Sequence, residues 1–127
     1  MEINVKVEQE RLKDIISRLQ GVSQFFNENF EDYKDELIIF NGQIKNISNL
    51  TNDFEQMSLV NAIKHLSKIL REQQALSRIL AYGGEHFAKD IFYIWQDQII
   101  VLKGILGDWK AVEKIRKEEN NGKKNND

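Results

Sequence analysis

The chain has 127 residues, 41% of them hydrophobic and 30% charged, with seven glycines, no proline and no cysteine. That composition suits one folded domain, excludes disulfides and thiolate chemistry, and argues against a turn-rich β fold, which needs more proline and glycine. The formal charge of −2 argues against a dedicated nucleic-acid binder, yet residues 1–59 carry 6 basic and 11 acidic groups while residues 60–127 carry 12 and 9, so the halves have opposite electrostatic preferences.

The first residues, Met1 to Glu8, lack a basic stretch followed by an apolar one, and no apolar run approaches the roughly 18 residues of a membrane span. A cytoplasmic chain is predicted. Asn46-Ile-Ser48 and Asn49-Leu-Thr51 fit the glycosylation pattern, but without a secretory signal they read as chance matches.

From Val5 every seventh position is apolar: Val5, Leu12, Leu19, Phe26, Tyr33, Phe40, Ile47 and Phe54. A second row, Ile15, Val22, Phe30, Leu37 and Ile44, runs beside it at spacings of seven or eight, which is a coiled-coil-like stripe that drifts slightly. The pattern predicts one helix over about 3–51, about 70 Å long, which needs a partner along its length. Asn49 to Ser58 gathers turn and capping residues. A turn is predicted at about 52–58, with the Ser58 hydroxyl capping a helix that starts at Leu59.

The second stripe runs Val60, Ile63, Leu66, Leu70, Gln73, Leu76, Leu80 and resumes as Phe87, Ile91, Ile94, Gln98, Val101, Ile105, Trp109, Val112. It predicts a helix over about 59–118, with a kink or break at Gly83-Gly84, because two adjacent glycines cost about 2 kcal/mol in a helix interior. Residues 120–127 are polar and asparagine-rich and are predicted to be a disordered tail. The fold class that follows is all-α: a long antiparallel helical hairpin, in a single domain over 1–119. Leu12, Leu19, Phe26, Tyr33, Phe40 and Ile47 on the first helix, with Phe87, Ile94, Trp95, Val101 and Trp109 on the second, are the predicted packing residues.

Catalytic chemistry has little to rest on. His65 and His86 have no second ligand at a metal-binding spacing, Gly83-Gly84 and Gly104/Gly107 lack the context of a phosphate loop, and Glu28, Glu31, Asp32, Asp35 and Glu36 read as a solvated helix face. No nucleophile, base and orienting group can be named together, so no enzyme activity, metal, cofactor or small-molecule substrate is predicted. The second helix is apolar on more than one face at Phe92 to Trp95 and Ile99 to Leu102, which predicts cover by another copy of the chain or a related helical protein.

The long first helix, the turn, Leu59 to Leu70, Phe87 to Trp95 and the lysine-containing run Val101 to Val112 together resemble the first two helices of the BAR domain of sorting nexins. The family's PX domain and third long helix have no counterpart in these residues. The resemblance implies a BAR-like curved dimer that binds anionic, phosphoinositide-containing endosomal membrane in protein transport. It also implies that the end of the second helix meets the headgroups, through Lys110, Lys114, Arg116, Lys117, Lys123 and Lys124. The rival expectation is a helical protein-interaction adaptor or chaperone-like partner without membrane binding.

Overall fold

An apolar stripe that repeats every seven residues can be buried by another chain or by its own continuation folded back. This chain takes the second course. The computed structural model describes residues 3–29, 34–82 and 86–125, apart from the side chains of 34–36, 76, 79–92 and 122–125. It consists of α1 (Val5–Asn29), α2 (Lys34–Asp53), a single 3-10 turn (Phe54–Gln56), α3 (Leu59–Tyr82) and α4 (His86–Asn125). No strand occurs among the described residues, in agreement with the all-α expectation.

The predicted single rod over 3–51 is corrected to a hairpin of α1 and α2. In one straight helix residues 9 and 51 would be about 63 Å apart, whereas the Gln9 side-chain amide donates to the Thr51 carbonyl at 3.1 Å. The Ser23 hydroxyl also donates to Asn41 Oδ1, so the helices run antiparallel. The heptad count cannot distinguish the two arrangements, because Phe26 and Phe40 lie two full repeats apart and keep their register across the connection. A short connection costs little closure entropy and supplies the partner the stripe requires. In the last turn of α1 the Asn29 side chain folds back on its own helix, Nδ2 donating to the Phe25 carbonyl at 2.8 Å.

A second hairpin follows. Ser58 caps α3 as predicted, its hydroxyl accepting from the Asn61 N–H at 3.2 Å. The helix break predicted near Gly83-Gly84 lies outside the described residues, but α3 ends at Tyr82, α4 begins at His86, and the two pack together. The Trp95 indole N–H donates to the Gln73 carbonyl at 3.2 Å, so this pair is antiparallel as well. α4 runs through Asn125, so residues 120–125 are helical, not the predicted disordered tail; Asn126 and Asp127 lie outside the described residues. The chain divides into two compact units, Val5–Met57 and Ser58–Asp127 with Met1–Asn4, in place of the single predicted domain.

Most predicted packing positions are buried: Leu12, Leu19, Phe26, Phe40, Ile47, Trp95 and Trp109. Tyr33 lies outside the described residues, as does the side chain of Phe87. Two are corrected. Val101 is 40% exposed and Ile94 is half-buried, because the inward row of α4 is Trp95, Ile99, Leu102, Ile105/Leu106 and Trp109. The sequence is apolar at neighbouring positions there, and a one-residue change of row turns a side chain by about 100°.

A cationic groove on the second hairpin

The packed face of α3 is set by Leu66, Ile69 and Leu70, and that of α4 by Leu102, Ile105 and Trp109. Once these interlock, the positions beside them are presented along the seam between the helices. Two adjoining concavities lie on that seam. One, of about 340 Å³, is lined by Val60, Ile63, Lys64, Lys110, Glu113, Lys114 and Lys117. The other, of about 390 Å³, is lined by Ile63, Lys64, Ser67, Leu70, Arg71, Gln74, Lys103, Leu106 and Lys110. They share Ile63, Lys64 and Lys110, which makes them one continuous groove.

Its floor is apolar, from Val60, Ile63, Leu70 and Leu106, and its rims carry six cations, Lys64 and Arg71 from α3 and Lys103, Lys110, Lys114 and Lys117 from α4, against one carboxylate, Glu113. None of these cations takes part in an ion pair among the described residues. α1 is arranged differently: Lys13 pairs with Glu10 at 3.7 Å and Arg18 with Asp14 at 4.0 Å. The buried Glu8 carboxylate there takes both of its oxygens to Arg11 Nη1, at 3.0 and 3.3 Å.

Of the basic residues predicted to meet an anionic surface, Lys110, Lys114 and Lys117 line the groove. Arg116 is half-buried and does not line it. Lys123 and Lys124 belong to α4, but their side chains lie outside the described residues. Sequence reasoning missed Lys64, Arg71 and Lys103. Their signal is spacing: Lys64 and Arg71 are seven apart, as are Lys103, Lys110 and Lys117, which places each set on one helix face.

Among the described residues no group of three or more His, Cys, Asp or Glu could hold a metal ion. No helix among them is long and apolar enough to cross a membrane. The side-chain oxygens of the buried Gln43, Gln73 and Gln98 have no hydrogen-bond partner among the described residues. The last two are the polar positions that dilute the second stripe in the sequence. No family model, curated protein or solved structure matches the chain.

Proposed function

We propose that the chain is a non-enzymatic helical scaffold that binds an anionic partner through the α3/α4 groove. One observation carries this reading: six cations around an apolar floor, with no ion pair to any of them among the described residues. A solvated helix face is ordinarily laced with i,i+3 and i,i+4 pairs, as α1 is. Cations of one sign set side by side repel one another, and an anionic ligand relieves that repulsion.

The test is amide chemical-shift mapping of the whole protein titrated with soluble poly-L-glutamate, at about 20 mM and about 300 mM salt, on either side of the ionic strength at which surface charges are screened. Shifts concentrated in 60–74 and 103–117, weakened by salt and lost in the Lys110→Glu/Lys114→Glu variant, are expected. Shifts spread over the whole surface, or none in these segments at low salt, overturn the reading.

A second reading is a dimeric, BAR-type scaffold at the anionic face of an endosomal membrane. It draws support from Lys110, Lys114 and Lys117, which stand exposed on α4, and for dimerisation from the exposed Ile100 and Val101. The long rods on which the sorting-nexin resemblance rests are replaced by shorter helices, so this reading stands on the surface residues alone. It requires co-sedimentation with phosphatidylserine-containing vesicles at low salt and a dimer by sedimentation at micromolar concentration; a monomer that leaves the vesicles in the supernatant overturns it.

A further inference from the structure

We infer that the occupant of the groove is an acidic amphipathic helix of a partner protein, laid along the seam as a third coiled-coil strand. The inference rests on the reading of the groove as an anion-binding surface and names its ligand class. Three observations carry it.

The first is length. The groove is lined from Val60 to Gln74 on α3 and from Lys103 to Lys117 on α4, about 21 Å on each side at the α-helical rise. That is the span of about four helical turns. The second is periodicity. Lys64 and Arg71 stand seven apart on one rim, and the exposed Arg78 continues that row; Lys103, Lys110 and Lys117 stand seven apart on the other. Flanking charges with the period of the heptad sit where the e and g residues of a coiled coil select a partner of opposite sign. A structureless polyanion or a bilayer surface has no use for that spacing. The third is the floor, where Val60, Ile63, Leu70 and Leu106 form an apolar line between the charged rows. This is the acceptor that a helix presenting anchors at i, i+3/i+4 and i+7 requires.

A second copy of this chain fits less well. The acidic residues of its α1 that sit beside the exposed Val7, Glu10 and Asp14, are interspersed with Lys6, Lys13 and Arg18 on the same helix and form no row of one sign. Charge complementarity therefore points to a different chain, with glutamate or aspartate at the positions flanking its apolar stripe and few cations among them.

The experiment is fluorescence anisotropy of labelled synthetic peptides with the full-length protein at low and moderate salt. The probe has about three heptads, long enough to hold helical structure, with leucine at a and d and glutamate at e and g. Two controls accompany it: a scrambled peptide of the same composition, and the periodic peptide with lysine in place of glutamate. The periodic glutamate peptide should bind at least about tenfold more tightly than the scrambled one, with affinity falling as salt screens the rims. In the Lys103→Glu/Lys110→Glu/Lys117→Glu variant the preference should invert, so that the lysine peptide becomes the tighter ligand. All three substitutions are at exposed positions, and an unchanged helical circular dichroism spectrum confirms that the scaffold survives them. Equal binding of periodic and scrambled glutamate peptides overturns the helix and leaves the anion-binding groove standing. Binding to phosphatidylserine vesicles without binding to the periodic peptide overturns it in favour of the membrane reading. If no anionic probe binds at low salt, the groove itself fails as a site.

Discussion

Gln73 offers the sharpest test of the packing, because the expected effect has the unusual sign. Its side chain is only 2% exposed, and its buried Oε1 has no partner among the described residues. An unsatisfied buried acceptor costs about 1–3 kcal/mol, so Gln73→Leu removes a penalty and adds apolar contact in the same space. Against this stands imperfect fit: a swap of similar volume in a packed core loses up to about 1.5 kcal/mol. The bond from the Trp95 indole is unaffected, because it ends on the Gln73 main-chain carbonyl. The expected net effect is a stabilisation of about 1–2 kcal/mol. For a unit the size of Ser58–Asp127 each kcal/mol raises the melting temperature by about 4–8 °C. Trp95 and Trp109 are both buried in this hairpin and the chain has only two tryptophans, so tryptophan fluorescence during urea or thermal unfolding reports on this hairpin alone. Gln20→Leu, at an exposed position on α1, is the control and should leave that transition unmoved. A fall or no change in the midpoint for Gln73→Leu refutes the assignment of a penalty to this oxygen.

Three further outcomes follow from the burial and capping pattern. Phe40 is 1% exposed, and Phe40→Ala should cost about 3–5 kcal/mol, read as a lowered urea midpoint by circular dichroism. Ile38, two residues away on the same helix, is 69% exposed, and Ile38→Ala should stay within about 0.5 kcal/mol of the parent; similar losses at both sites would contradict the assigned face of α2. Ser58→Ala removes the oxygen that holds the Asn61 N–H and should cost about 1 kcal/mol, with faster hydrogen exchange in the first turn of α3.

The parts of the fold that were legible in the sequence are those set by local chemistry. Ser58 stands before a helix with the oxygen its first turn needs, and it caps that helix. The seven-residue row from Leu12 to Ile47 is buried wherever it is described because period and burial are one constraint. What the period could not give was direction. A stripe that is continuous in sequence is satisfied equally by a rod against another chain and by a hairpin against itself. Val101 failed for a related reason: Ile99, Ile100, Val101 and Leu102 are all apolar, so composition does not say which of them faces inward. The groove was half legible. Lys110, Lys114 and Lys117 stand out in the sequence, but Lys64 and Arg71 join them only because α3 and α4 run antiparallel in one particular register.

Apolar stripes say that a helix needs a neighbour without saying which; the identity of the neighbour is carried by the polar residues that border the stripe. On α1 the charges close among themselves, Glu8 with Arg11, Lys13 with Glu10, Arg18 with Asp14, so that face holds no net preference to spend on another chain. On the α3/α4 seam Lys64, Arg71, Lys103, Lys110, Lys114 and Lys117 outnumber the single carboxylate of Glu113. Burying such a seam under an uncharged helix would take those cations partly out of water with nothing in return, a cost that grows with every rim residue covered. An acidic helix turns the same cost into selectivity, and its wrong-sign competitors are rejected by repulsion at each heptad. On this argument selectivity resides in the charged rims, while the floor contributes affinity of little specificity. Substituting Val60 or Ile63 by alanine should then weaken all helical ligands alike, whereas reversing the rim should exchange one class of ligand for the other.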